Sequence, residues 1–530
     1  MTLQMKKIRG GLTALLSGIL SVLFLPPLPA EDWDTVPERL HSEYQAIAYH
    51  SSSGNWVSAY TGGFPLRLRG VVLNANEDWL DPTAAYDPEY HLMNLGGEAE
   101  IIVQSVDPAD FGGTYCWMGQ NYGNYPIRHD IVYNYTDPQW YAELNRLRLW
   151  HPEGYGIAPR PPEQLVRPGD YVEIRARAGL EYNGKKNVNE EHYNDPDFDF
   201  EVVVLQRGRG WDPPANLTLS DLKNPDDSFI FDGADRVTGA EHYQGMLVTL
   251  QNVHSLSGAW GPDQDVVVAD DTGRTFNLHL SLGTGFSAFG PPGGTFQVTG
   301  IMNQDSSSGD AGYYLAVMDS GNLFQRWSTG SGLWSNPSNW GGSAPVTGGG
   351  MHFSGPAGGT ATNNLSTGWA VGEIVFEAGA GPFTLDGNPI TLTGDLVSFS
   401  PQAQTVAMDL TLAEGVNTIY AAAGDILIQN PLSNDAYLRK LGLGTVVLTG
   451  GIQGAGSLDV TYGVLETSSL VQNQLTIGAG SKVVICPGGG QTSTPNPMQV
   501  PEPATWIMLL AALLIGRRAV RSKKKTIAKP

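Results

Sequence analysis

Apolar and polar positions alternate with period two through most of this chain, and the two long departures from that pattern lie near its ends. Period-two alternation is the mark of half-buried strands. Near the start, Lys6, Lys7 and Arg9 precede an apolar run over 12–25 that ends on a small-residue site, Leu28-Pro29-Ala30. This reads as a secretory signal peptide over 1–30. At the far end a second apolar run, 504–515, lies between the triplet Pro501-Glu502-Pro503 and a basic tail holding Arg517, Arg518, Arg521 and Lys523. Spanning a bilayer takes ~20 apolar residues, and snorkelling of Arg517 and Arg518 extends this run to Val520. The most helix-like stretch between them, 36–48, is read as part of a leader over 31–63. Strands are then predicted at 66–73, 99–106, 168–176 and 200–206, with an insertion over 110–151. The order returns at 245–253, 265–269, 274–280, 292–300 and 313–318. Each unit has a Gly-containing first strand, a hairpin, a Pro-Gly turn into a strand and a closing strand, the plan of a five-stranded Greek-key barrel. From 327 charge nearly vanishes, and short strands recur at 373–376, 383–385, 390–392, 407–412, 418–421 and 425–429. Their spacing is that of β-helix rungs.

Three resemblances follow from particular residues. The second unit, 221–325, resembles the OB-like domains of secreted bacterial proteins, extracellular nucleases among them; the first, 64–210, follows the same plan around its insertion. Residues 438–450 carry Lys440, Gly442, Gly444, Thr445 and Leu448, followed by a Gly-x-Leu return at Gly463 and Leu465. That order resembles the autotransporter-associated β-strand repeat, which implies a right-handed parallel β-helix over 327–488. A Ser/Thr/Pro/Asn linker, 489–499, then leads to the tail in place of a porin-like barrel. The tail, 500–530, resembles the PEP-CTERM sorting signal of Gram-negative bacteria. It implies Sec-type export, transient anchoring in the inner membrane with the basic tail cytoplasmic, and cutting by an exosortase before delivery to the surface or exterior. Pro501, Glu502 and Pro503 would be the recognition element and Arg517 and Arg518 the stop. The expected fold class is all-β: tandem OB-like Greek-key barrels, then a right-handed parallel β-helix, with a signal peptide and a C-terminal transmembrane sorting helix.

Composition narrows the chemistry. The formal charge is −22, and 10 of the 31 basic residues lie in the two end segments, which carry one acid, Glu502, between them, so the part between is more acidic still. Such a surface repels nucleic acid and anionic lipid. Cys116 and Cys486, far apart, can build neither a disulfide framework nor a thiolate metal site. An acidic excursion holds Glu190, Glu191, His192, Asp195, Asp197, Asp199 and Glu201. Alternation puts three of its carboxylates on one face, a pattern that can bind Ca²⁺, although a solvated loop explains it as well. In the β-helix the acids are sparse, His352 is the one histidine, and Asp386 with Asp395 is the one carboxylate pair to consider. No catalytic residue and no cofactor is assigned there. Arg67, Arg69, Arg175 and Arg177 can share a barrel face with Tyr171 and Tyr182 nearby, as a nucleic-acid groove would require; structural arginines are the simpler reading. Trp334 and Trp340 are candidates to stack on sugars, although as first-rung residues they more often cap the exposed end of the β-helix core. The expected function is a non-enzymatic envelope or matrix protein in contact with exopolysaccharide. The alternative is a nucleic-acid-binding or nuclease-accessory role for the barrels.

Overall fold

The computed structural model describes residues 31–486, apart from 51–53, 85–96, 121–134, 150–152, 190–198, 234–235, 284, 289, 291 and 307. The signal peptide, most of the acidic excursion, the linker and the sorting tail lie outside the described residues. Among those described, no helix is long and apolar enough to cross a membrane.

The first unit contains β1 (Leu66–Val72), β2 (Glu98–Gln104), β3 (Gly113–Gly119), β4 (Tyr171–Ala176), β5 (Gly179–Tyr182), β6 (Lys185–Asn189) and β7 (Phe200–Gln206). They form one sheet in the order β5-β6-β3-β2-β1-β4-β7. Only Arg177 and Ala178 separate β4 from β5, which lie towards opposite sides of that order, so the sheet curls until its sides approach. Its interior is filled by Leu66, Leu68, Ile101, Val103, Met118, Val172 and Ile174. A helix, Asp137–Arg146, adds Trp140 and Leu144, one turn apart on one face. Thr136 and Gln139 start it with a capping box.

Two strands of this unit escaped the sequence pattern. β3 falls inside the stretch read as an insertion, because Gly113–Gly119 is buried on both faces and shows no alternation. The strand parallel to it is β6; β7, the predicted strand 200–206, pairs with β4 at an edge. β6 reads Lys-Lys-Asn-Val-Asn, and its Lys185, Asn187 and Asn189 are buried polar residues that hydropathy cannot place inside.

The second unit contains β8 (Leu247–Gly258), β9 (Gln264–Ala269), β10 (Thr275–Leu280), β11 (Phe296–Gln304) and β12 (Tyr313–Val317), and closes in the order β8-β9-β10-β12-β11-β8. Closure needs one strand to serve two neighbours. β8 does so by breaking register between Leu250 and Val253, so its first half pairs with β11 and its second half with β9. Asn252 sits at the break with φ 55°, a left-handed conformation that Asn tolerates better than most residues.

β11 also pairs antiparallel with β13 (Leu323–Trp327), which fuses the barrel to a β-solenoid of about seven turns. The first solenoid sheet continues through β14 (Gly350–Phe353), β15 (Ile374–Phe376), β16 (Leu396–Ser398), β17 (Val416–Ala421), β18 (Tyr437–Leu441), β19 (Ser457–Val460) and β20 (Gln474–Ile477), all parallel. A second sheet of eight strands and a third of five complete the three-sided stack. Each coil sets its apolar residues over those of the next: Ile374 faces Leu396, Leu396 faces Ile419, and Ile419 faces the backbone of Lys440. Trp327, Trp334, Trp340 and Phe353 fill the first coil. The Lys440 motif makes a corner: the buried ammonium donates to the carbonyls of Gly442 (2.6 Å), Gly444 (2.7 Å) and Tyr462 (2.9 Å). Gly442 turns there with φ 83°, where a Cβ would strike the carbonyl of Ala421 on the coil before.

Candidate functional site

The outward positions of the three solenoid sheets differ in kind. On the third sheet, Thr391, Thr411 and Ser433 stand in register on successive coils. On the first sheet both faces are buried along its middle coils: β15 reads Ile-Val-Phe with no exposed position, and β16 is likewise buried throughout. Its outward Val375, Val397, Tyr420 and Leu441 form a separate apolar cluster with Trp211 and Phe399. A strand apolar on both faces must be covered on both faces. The cover is the segment after β7. Tyr420 donates its hydroxyl to the Trp211 carbonyl (3.1 Å), and the two rings lie 5.1 Å apart. Gly210 has no side chain where the Tyr420 ring passes.

The first unit, a seven-stranded sheet whose pairing order does not close into a ring, follows this segment onto the solenoid. Arg439 of β18 donates to the Pro168 carbonyl (3.1 Å) and to Asp170 (3.3 Å). The first unit also packs on the second through Ile102, Tyr115, Ile301 and Ala316. Tyr115 donates to the Met302 carbonyl at 2.6 Å and Lys185 to Asn303 at 2.7 Å. Gly113 and Gly245 meet backbone to backbone, too close for a Cβ on either.

Where the three units meet they line a partly open cavity of about 490 Å³. Its walls carry apolar groups (Leu247, Met318, Val375, Phe399 and Trp211) and seven carboxyl groups: Asp78, Asp319, Glu373 and Asp395, whose charges act on one another across the space, and Glu77, Glu377 and Glu414, which complete the set. Glu373 and Asp395 directly precede the register partners Ile374 and Leu396, so they stand on adjacent coils, about 4.8 Å apart along the stack. Burial, then the charges of Glu77 and Asp319, pushes Asp78 up to about 7. Burial and Asp319 push Asp395 up to about 7, and burial brings Asp319 to about 6. Glu373, half-buried beside Asp319 and Asp395, is held well above the usual carboxylate range by desolvation and by those two charges. Asn322 donates to Glu373 (3.2 Å), and the Thr418 backbone to Asp395 (2.7 Å). Farther along the wall burial favours a neutral Glu377, but His352 and Arg326 together hold it below its ordinary value. Arg326 lies 2.7 Å from it. His352, stacked on Phe324, is kept neutral by burial, down to about 4. The arrangement stores protons. Among the described residues no group of three or more His, Cys, Asp or Glu is disposed to hold a metal ion.

The residues singled out from sequence fall elsewhere. Arg67, Arg69, Arg175 and Arg177 do share the β1–β4 face, but within carboxylates. Glu173 pairs with Arg67 (3.1 Å), Arg69 (2.8 Å) and Arg175 (2.9 Å), and Arg177 engages Glu31, Asp199 and Glu201. Trp33 lies under the guanidinium groups of Arg175 and Arg177. Trp334 and Trp340 are buried at 0% and 2% exposure, with Trp340 donating to the Trp334 carbonyl, so neither indole offers a face to solvent. Asp386 is exposed on the second sheet and Asp395 lies in the cavity, so the pair considered from sequence does not form. The partner of Asp395 is Glu373. Of the acidic excursion, the described Asp199 pairs with Arg146 and Arg177. Cys116 is buried in the first unit and Cys486 ends the solenoid; neither is in a disulfide. The cavity had one signal in the sequence: an acid directly before an apolar triplet on successive coils, Glu373 before Ile-Val-Phe and Asp395 before Leu-Val-Ser.

Residues 499–525 match the PEP-CTERM protein-sorting motif, which covers the triplet, the apolar run and the arginine cluster. A tail of this kind marks an exported, surface-sorted protein processed by an exosortase. No curated protein and no solved structure matches the chain.

Proposed function

We propose that this exported protein is a non-enzymatic component of the cell envelope or extracellular matrix that binds exopolysaccharide along its solenoid. The observation that carries the reading is the hydroxyl ladder of the third sheet, Thr391, Thr411 and Ser433 in register. A flat, uncharged row of hydroxyls at regular spacing complements a polymer that is itself a row of hydroxyls, whereas the carboxyl-bearing face is roofed by the chain's own earlier units. The closed order of the second barrel supports kinship with OB-like domains, and the Lys440 corner supports a right-handed helix of the autotransporter-associated type. The pairing of Arg67, Arg69, Arg175 and Arg177 with carboxylates weighs against the nucleic-acid alternative, since a polyanion would have to displace every one.

Retention of the protein on columns of the producing cell's exopolysaccharide and of single-stranded DNA tests the reading. Retention on the polysaccharide alone, lost in Thr391→Lys/Thr411→Lys, is the expected result. Salt-sensitive retention on DNA, abolished by Arg175→Gln/Arg177→Gln, would replace it with the nucleic-acid role.

A further inference from the structure

Four of the cavity carboxyls come from parts of the chain that need not stay together. Asp78 belongs to the first unit, Asp319 to the link between the second barrel and the solenoid, and Glu373 and Asp395 to the solenoid. We propose that this junction is a proton-operated clasp: with these carboxyls protonated the first unit closes on the first solenoid sheet, and with them ionised it is driven off that face and the cavity opens.

The attachments allow one movement more than the others. The second barrel shares a sheet with the solenoid through β11 and β13, so those two act as one body. The first unit is held to the second by the apolar contact around Ile102, Tyr115, Ile301 and Ala316 and by hydrogen bonds from Tyr115 to Met302, Lys185 to Asn303 and Gly113 to Gln244, the firmer attachment about which it can pivot. Its hold on the solenoid is narrower. It rests on the Tyr420–Trp211 contact, on Arg439 reaching Pro168 and Asp170, and on a long bond (3.4 Å) from the Gly442 amide to the Gly208 carbonyl.

The charges around the cavity are set against ionisation. Asp78 faces Glu77 beside it, Asp319 and Asp395 across the gap, and Arg167. Arg167 is engaged by Glu77 and Arg439 by Asp170. Asp395 faces Asp319 and Arg439; Glu373 faces Asp319 and Asp395. Arg326 is engaged by Glu377, His352 is neutral, and Glu414 adds a further acid to the lining. Each cation near the four acids is therefore already committed to another carboxylate, and ionising the four adds like charges across the gap between the first unit and the solenoid in a poorly solvated space. Opening the gap hydrates them. The protonation equilibria place the change between about pH 5 and 8.

Hydrogen exchange on the full chain in detergent tests the clasp, with rates corrected for the chemical effect of pH. The Gly442 amide, whose acceptor is the Gly208 carbonyl across the gap, is expected to lose protection about tenfold or more between pH 5 and 8, while the amides of β18 and of the third solenoid sheet, bonded within the solenoid, keep theirs. In Asp78→Asn/Glu373→Gln/Asp395→Asn protection at pH 8 is expected to match that at pH 5. Should that triple variant fail to fold, Asp78→Asn alone, which removes the charge on the moving side, is expected to recover a several-fold share. Equal protection at both pH values in the unmodified chain, or an undiminished loss in Asp78→Asn, would overturn the proposal.

Discussion

Lys440 has its ammonium inside the protein because three carbonyl oxygens converge on it. The spacing Lys-x-Gly-x-Gly follows from that: the lysine runs back under its own corner, and the two glycines let that corner lie against the previous coil. Lys440→Met should leave three carbonyls short of a donor and lower the stability of the solenoid by about 2–5 kcal/mol. Denaturant unfolding measures it; an unchanged midpoint would mean that the lysine does not staple the corner. Asn252 is a different kind of residue-scale requirement, since it is the backbone and not the side chain that the fold needs. Asn252→Val should cost about 1–2 kcal/mol through its left-handed φ, whereas Asn252→Gly should be tolerated, and thermal melting separates the two.

At the scale of elements, the solenoid strands are too short to be stable alone, and each coil is held by those above and below it. Leu448, Val446 and Leu465 point into the stack and are buried, as their places in the alternation require. A carboxylate at Leu448 has no partner there. Leu448→Asp should lower stability by about 3–5 kcal/mol and admit protease along the last coils; retained resistance would count against a continuous packed interior. Val464, on the same strand as Leu465, is only half-buried, so alternation and not hydropathy decides which residues of a rung face inward. The long strand β8 makes the complementary point. Its break at Asn252 is what lets five strands close into a ring instead of forming an open sheet.

At the scale of the whole molecule, the cavity carboxyls contribute a stability that falls with rising pH, opposite in sense to that of Asp110, Glu173 and Glu377, which are held below the ordinary range. Asp78, Asp319 and Asp395 have folded values of about 6 to 7 against about 4 when unfolded. At these groups the folded state therefore holds more protons than the unfolded one between those limits, and their contribution falls as pH rises from about 4 to 7. Two buried histidines, His41 and His352, act the other way below about pH 6.5, because each is kept neutral in the fold. Subtracting the melting profile of Asp78→Asn/Asp395→Asn from that of the unmodified chain isolates the carboxyl contribution. The difference should be small at pH 4 and grow towards pH 8. Sorting is also a property of the whole chain: replacing Pro501, Glu502 and Pro503 by alanine should leave full-length protein in the inner membrane, which fractionation and blotting detect. Release and trimming like that of the unmodified chain would remove the assigned role of the triplet.

The sequence alone determined what depends on local order. The sorting tail is contiguous, and the motif match covers it. The second barrel and the solenoid announced themselves because a strand with one wet face alternates, and a coil repeats. Tertiary structure decided the rest. β3 has two dry faces and β6 a polar sequence, so neither alternates, and only the curled sheet shows that the two pair. The arginines share a face, as alternation requires, and so does their partner Glu173, two residues from Arg175 on one strand; the partners of Arg177, by contrast, come from the leader (Glu31) and from another strand and its approach (Asp199, Glu201). Asp78, Asp319, Glu373 and Asp395 form a site only because the first unit folds back over the solenoid. Nothing in the spacing of those four residues encodes that contact, since it arises from the shapes of two separately formed units.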